Sequence, residues 1–244
     1  MCTVTWLRTP GRYDLFFNRD EKKSRLEAHP PALRELNGVR YIAPSDANAG
    51  GTWIGVNERG LTVCLLNHYG AKDSDRTHRP AVSRGKLVSG LMDARSVAEV
   101  GDRVFQAGVH LYRPFFLVAM ELEGQPVLHA WDGRHLNNRA LTDGDLPFST
   151  SSFDTENVLK ARKAMYDGMK AMAGEVTTEL LEQYHFSRDP QGGPYSVCMH
   201  RDDAETVSFT HVTVTPNHID LLYIPRSHHK TFRMKGDRVS LALP

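Results

Sequence analysis

Short paired apolar runs, rich in β-branched and aromatic residues, recur around turn signals along this chain and leave few ways to fold it. Cys2 to Leu7 and Tyr13 to Phe17 flank Thr9-Pro10-Gly11, which predicts a hairpin beginning one residue after Met1. Thr52 to Val56 and Leu61 to Leu66 flank Asn57-Glu58-Arg59-Gly60 as a second hairpin. Its later strand is so nearly all apolar that both faces should be covered, which makes it a central strand. Phe115 to Leu122 and Val127 to Trp131 form a third pair around Glu123-Gly124-Gln125-Pro126. Tyr195 to Met199, Val207 to Val214 and Ile219 to Ile224 read as a closing three-strand meander.

Between these runs the apolar period changes to that of a helix. Leu87, Val88, Leu91 and Met92, then Val97, Val100, Val104 and Phe105, predict two helices meeting near Asp93 to Ser96. Val158, Ala161, Met165, Met169 and Met172 predict a long helix capped by Asp154, with the methionine stripe in the core. Gly174 separates it from a shorter helix carrying Val176, Leu180 and Tyr184. Ser24 to Ala49 is charged, Pro-containing and aperiodic, and reads as a surface connection; Asp132 to Thr150 reads as a loop. This order predicts an α+β fold of mostly antiparallel sheets whose buried faces are covered by two helical layers. A length of 244 residues fits one domain spanning residues 1–244.

Thirty Lys and Arg against 29 Asp and Glu give a net charge of +1, so nothing draws the chain as a whole to nucleic acid. No run approaches the ~18 apolar residues of a membrane helix, and the N-terminus lacks a secretory apolar core, so a cytoplasmic protein without a membrane span is expected. Cys2, Cys64 and Cys198 are too scattered for a disulfide framework or a metal knuckle, and Cys64 and Cys198 read as small core residues. The twelve histidines, including His200 and the pair His228-His229, fall in no dense ligand spacing; no metal or cofactor is expected. The stretch Arg226 to Arg238 interleaves basic residues with Phe232 and Met234 and reads as a solvated face.

Cys2 is chemically distinctive. Removing Met1 places an amine and a thiol on one residue, and the amine can act as the base that activates the sulfur. The first hairpin returns Asn18-Arg19-Asp20-Glu21 beside residue 2, and a guanidinium that lowered the thiol pKa by about two units would make thiolate the majority form at pH 7. Arg19 is the natural candidate.

Cys2-Thr3, Leu15 to Glu21, Arg25 to Pro31 and Trp53-Ile54-Gly55-Val56-Asn57-Glu58-Arg59-Gly60 resemble the NRDE, or transport and Golgi organisation, family. The likeness continues through Tyr195 to His200 and the final strands. That family is grouped with N-terminal-nucleophile hydrolases, and the N-terminal Cys and the Gly55 to Asn67 stretch are similar to bile-salt hydrolases and penicillin V acylases. The resemblance implies a four-layer αββα sandwich, with Cys2 as nucleophile, its amine as base and Arg19 beside it. It implies an acidic partner, for which Asp20 stands next to Arg19 while Lys22 occupies the acylases' own position. Asn67 matches the strand-end oxyanion donor. The second oxyanion donor is Asn138, or Thr150 or Ser151 if the chain is aligned on Asp154-Thr155. The implied activity is hydrolysis or acyl transfer on a small non-peptide amide. The alternative is a noncatalytic binder or carrier of haem, acyl-CoA or lipid on the same fold, and a third possibility is redox sensing through Cys2.

Overall fold

A computed structural model describes residues 1–71, 82–225 and 236–242. Most of the basic Arg226 to Arg238 stretch, His228 and His229 included, lies outside the described residues. The first hairpin forms as its turn chemistry predicts: β1 (Cys2–Thr9) pairs antiparallel with β2 (Arg12–Lys22), Cys2 opposite Arg19. β2 runs five residues further than its apolar stretch because β11 (Ala204–Thr215) pairs with it along its length. The register of that pairing slips once. Asp20 faces Thr206 and Arg19 faces Ser208, leaving Val207 as an extra residue, and such a bulge re-aims side chains where it occurs.

β12 (His218–Pro225) and β13 (Asp237–Ala242) extend this sheet on one side, and β10 (Phe148–Thr150) extends it on the other, beside β1. Among the described residues the result is a six-stranded sheet in the order β10-β1-β2-β11-β12-β13. The second sheet is a seven-stranded antiparallel meander in chain order. It comprises β3 (His29–Leu36), β4 (Val39–Ser45), β5 (Ile54–Asn57), β6 (Thr62–Asn67), β7 (Phe115–Met120), β8 (Val127–Trp131) and β9 (Leu136–Ala140). β6, the nearly all-apolar run, sits at its middle and is buried on both faces, with Cys64 fully enclosed.

The sheets face each other across a core that includes Val4, Trp6, Phe17, Ile54, Val56, Leu66 and Val118. Each such side chain contributes roughly 1.5–3 kcal/mol by leaving water. The outer face of the seven-stranded sheet is covered by α1 (Arg84–Gly90) and α2 (Val97–Gln106) through Leu87, Val88, Val100 and Val104. Ser96 caps α2 by accepting from the Glu99 amide. α3 (Thr155–Ala173) and α4 (Thr178–Phe186) cover the six-stranded sheet, with Tyr166 and Tyr184 meeting edge to face at 5.5 Å. The antiparallel sheets and two helical layers expected from the element order, and the four-layer sandwich that the resemblance implies, are the observed fold.

Several local expectations are corrected. Ser24 to Ala49 is a surface connection only in part, since it contains β3 and β4; Asp132 to Thr150 contains β9 and β10. Tyr195 to Met199 is no strand, the chain there making turns before a single bridge between His200 and Glu205. The methionine stripe is also revised. Met165 and Met169 pack on the core, but Met172 is 91% exposed, and the buried face of α3 is Val158, Arg162 and Tyr166. Asp154 precedes α3 without a side-chain capping bond and accepts instead from the Tyr195 hydroxyl at 2.8 Å.

Between the six-stranded sheet and α4 lies a buried charge network. His211 Nε2 is 2.8 Å from Asp14 Oδ1, its Nδ1 is 3.5 Å from Glu182, and Thr213 and Arg12 also bond Asp14. Burial opposes ionisation of Asp14, but His211, Arg12 and Thr213 hold its carboxyl well below the usual carboxylate range. Burial likewise opposes the His211 charge, and the two carboxylates outweigh it and raise its pKa. The Asp14 contribution is therefore present above about pH 4 and lost as pH falls through the depressed value. The His211 contribution is complete below about pH 6.5 and lost as pH rises through the raised value. Thermal unfolding followed across pH should show this network at its strongest between those limits. His211→Gln should remove the alkaline-side decline attributable to it, and an unchanged profile would deny His211 that role.

Candidate active site

Cys2 is the first residue of β1, and its cross-strand partners are Arg19 on β2 and Thr150 on β10. Directly opposed residues in an antiparallel pair project to the same face, so the thiol, the guanidinium and the hydroxyl share one side of the sheet. Cys2 and Arg19 line a cavity of about 300 Å³ at the end of the sandwich, together with Asp46, Trp53, Asn67, Arg84 and Arg113. The cavity opens between the strand ends of the two sheets and the segment entering α1. Gly51 makes that closure possible: a Cβ there would lie 2.4 Å from the Gly85 backbone, whose carbonyl accepts from the Thr52 amide at 3.1 Å.

Arg19 is fixed from two sides. Its Nη2 donates to Asp46 Oδ2 at 2.5 Å, and its guanidinium carbon stands 4.2 Å from the centre of the Trp53 ring. Asp46 also accepts from Arg25 Nη2 at 2.8 Å and from the amides of Asn48 and Ala49, closing its own turn. Burial opposes the charge of Asp46, but Arg19, the Ala49 amide and Arg25 prevail and hold its carboxyl below the usual range. Glu21 stands 3.7 Å from Arg19. Asp20, expected as the acidic partner, points the other way. Its Oδ1 accepts from Thr206 Oγ1 at 2.7 Å and its Oδ2 lies 3.4 Å from Arg162 Nη2, with both side chains of that ion pair fully buried. The alternation of β2 explains this, because neighbouring residues on a strand face opposite sides. The sequence signal for Asp46 was an Asp two residues before Asn48 and followed by Gly50-Gly51, an Asx-type turn after a strand.

Asn67 ends β6, lines the cavity and donates to the Tyr69 hydroxyl at 2.8 Å. Asn138 is not brought to the cavity; it lies exposed on β9, opposite His129, at the outer edge of the seven-stranded sheet. Opposite Cys2 on β10 stands Thr150, whose Oγ1 is buried and has no hydrogen-bond partner among the described residues. Ser151 is engaged elsewhere, donating to the Phe153 carbonyl at 2.5 Å and lying 2.8 Å from Met1 Sδ.

With Met1 attached, that residue is enclosed. Its side chain is 5% exposed against Met199 and Ala204, and its amine donates to Tyr69 Oη at 3.1 Å and to the Asp20 carbonyl at 3.4 Å. With Met1 attached, burial pushes the Cys2 thiol pKa up; the Met1 ammonium, the Asp20 amide and Arg19 pull downward without overcoming it, and the Asp20 charge adds to the rise. Arg19 thus acts in the expected direction on the thiol, and with Met1 attached burial outweighs it. Tyr69 is pushed up to about 12, chiefly by burial, and stays a neutral hydroxyl.

The sequence profile of the Transport and Golgi organisation 2 family matches residues 1–203. No curated protein matches the chain. Solved structures resemble it in fold. An N-acylethanolamine-hydrolyzing acid amidase ortholog from Caenorhabditis elegans superposes with a TM-score of 0.62 at 14% identity, covering 100% of both chains. A mutant conjugated bile acid hydrolase from Clostridium perfringens gives 0.54 at 11% identity, covering 99% of this chain and 96% of its own. Penicillin V acylase from Agrobacterium tumefaciens gives 0.52 at 13% identity, covering 99% and 91%. Among the described residues no helix is long and apolar enough to cross a membrane. With the fold of N-terminal-nucleophile hydrolases and a profile match over most of its length, this chain belongs to the Transport and Golgi organisation 2 family.

Proposed function

We propose that this protein is an N-terminal-nucleophile amidohydrolase or acyltransferase acting on a small non-peptide amide, with Cys2 as nucleophile once Met1 is removed. The observation that carries the reading is the direct opposition of Cys2 and Arg19 at one cavity, with Thr150, whose hydroxyl has no hydrogen-bond partner among the described residues, opposite Cys2 on the next strand. The freed Cys2 amine takes the thiol proton, and the sulfur attacks the amide carbonyl. Asn67 Nδ2 and Thr150 Oγ1 donate to the oxyanion that develops. Collapse breaks the carbon–nitrogen bond, the leaving amine receives the proton held by the Cys2 ammonium, and a thioester remains on the sulfur. Water, deprotonated by the same amine, then attacks the thioester and releases the acid; an acceptor amine or alcohol in place of water gives acyl transfer. Arg19, held by Asp46 and Trp53, keeps positive charge beside the sulfur. Asp20 serves as a positioning residue, anchoring the end of β2 through Arg162 and Thr206.

The test is a screen of small N-acyl amides on protein whose Met1 is absent by intact mass, with Cys2→Ala as control. Turnover abolished by Cys2→Ala, and a covalent adduct mapped to Cys2, are the expected results; turnover that survives Cys2→Ala overturns the assignment. Thr150→Val should lower kcat by about 10²–10³ while leaving KM near the parent value, the pattern of a donor that acts on the transition state. Unchanged kcat would remove Thr150 from the oxyanion site.

A second reading on the same fold is a noncatalytic carrier of haem, acyl-CoA or lipid. Tight binding of one of these that is identical in the parent and Cys2→Ala, without turnover of any amide, would select it.

A further inference from the structure

Among the described residues, the cavity carries more positive charge than its carboxylates neutralise. Arg19 and Arg25 share Asp46 and Glu21. The Asp20 carboxylate, which could have served a third cation, is turned to Arg162 on the opposite face. Arg84 and Arg113 remain. Arg84 is half-buried at the start of α1, and the only hydrogen bond of its side chain among the described residues runs from Nη1 to the Pro114 carbonyl at 2.9 Å. Arg113, one residue before that carbonyl, is exposed at the cavity mouth and makes no ion pair among the described residues. Burial pushes the Arg84 pKa down; Tyr69 opposes this, the Arg113 charge adds to it, and Cys2 and Glu21 oppose it less.

A half-buried guanidinium with a like charge beside it and no carboxylate partner among the described residues is costly, and the cost is offset when an anion arrives. The two side chains supply several N–H donors on one wall of a cavity of about 300 Å³, at the small end of the range for small-molecule sites. Arginine forks match the paired oxygens of a carboxylate or a phosphate. The geometry points to Arg84 and Arg113 as the anion-binding end of this cavity, so that the compound taken up beside Cys2 carries a carboxylate or phosphate group. This rests on the cavity being the reactive site proposed above, and it names the substrate class of that site. Asn67 lines the same cavity, and the Tyr69 hydroxyl accepts from both Asn67 and the Met1 amine. The amide would then lie over Cys2 with the anion displaced towards α1.

Binding of octanoate, octyl phosphate and octan-1-ol, three probes with one chain and different heads, tests this on Met1-free protein by calorimetry at low and high salt. At least one anion should bind about tenfold or more tightly than the alcohol, and salt should erode the difference. The tighter of the two anions identifies the head group. Arg84→Gln with Arg113→Gln should bring both anions down to the level of the alcohol. Arg113→Gln alone, at an exposed position that folding tolerates, should give an intermediate loss. Equal binding of all three probes, or an anion preference that survives both substitutions and so resides on Arg19, overturns the inference. Iodoacetamide labelling of Cys2 on the same samples separates the two proposals. A labelled Cys2 without anion preference ends this one alone, whereas anion preference with an inert Cys2 leaves this one standing and ends the hydrolase.

Discussion

Cys2 should alkylate about a hundredfold faster in protein lacking Met1 than in protein retaining it. In the retained form burial raises the thiol pKa, and the nearest amine belongs to Met1, where it is bonded to Tyr69 and the Asp20 carbonyl. Removal of Met1 transfers the free amine to Cys2 itself and opens the sulfur to the cavity. A positioned general base contributes about 10²–10⁴-fold, and thiolate rather than thiol is the nucleophile, so the lower end of that range is the expected gain. Because the Met1 side chain is buried against Met199 and Ala204, the folded chain should resist an added methionine aminopeptidase, and processing must precede closure of the N-terminus. Intact mass before and after aminopeptidase treatment, with iodoacetamide kinetics on each form, measures both effects. Equal alkylation rates in the two forms would deny the terminal amine any role as base.

Arg162→Met should lower stability by about 3–5 kcal/mol, a fall in melting temperature of roughly 10 °C for a chain of this size. Arg162 is fully buried in α3; its Nη1 donates to Thr3 Oγ1 at 2.6 Å, and its Nη2 faces Asp20. Removing it leaves the Asp20 carboxylate enclosed with Thr206 as its remaining side-chain partner, and the cost is that of an uncompensated buried charge rather than of one lost contact. Asp20→Asn in the same background should recover part of the loss, since the charge left behind is then gone. Thermal unfolding of the two single variants and the double variant yields the coupling. Additive losses would mean that Arg162 and Asp20 do not act as a pair. The same substitution should reduce turnover more than Tm alone accounts for, because Asp20 and Arg19 are adjacent on the strand that presents the cavity wall.

The hairpins around Thr9-Pro10-Gly11 and Asn57 to Gly60 were legible because turn chemistry and alternation act over a few residues. Counting back from the first turn also brought Arg19 opposite Cys2, and the end of the apolar run marked Asn67 as a strand-end residue. Four of the strands that the sequence concealed, β3, β9, β10 and β13, are the outer strands of the two sheets. An outer strand buries little, so it carries charged residues and prolines, such as Pro30 and Pro31 in β3, where an inner strand carries alternating apolar ones. β4 was hidden with β3 in the same charged stretch.

Local sequence therefore determined the strand that carries Cys2, its cross-strand arginine and the layered class of the fold, since each depends on patterns that neighbouring residues complete among themselves. Tertiary structure alone decided that Asp46 rather than Asp20 holds Arg19, that Thr150 rather than Asn138 stands beside Cys2, and that Arg84 and Arg113 share the cavity. Those partners come together through packing between sheets and helices, and the energy of a charge or an unpaired hydroxyl depends on what surrounds it in space, which no spacing along the chain records.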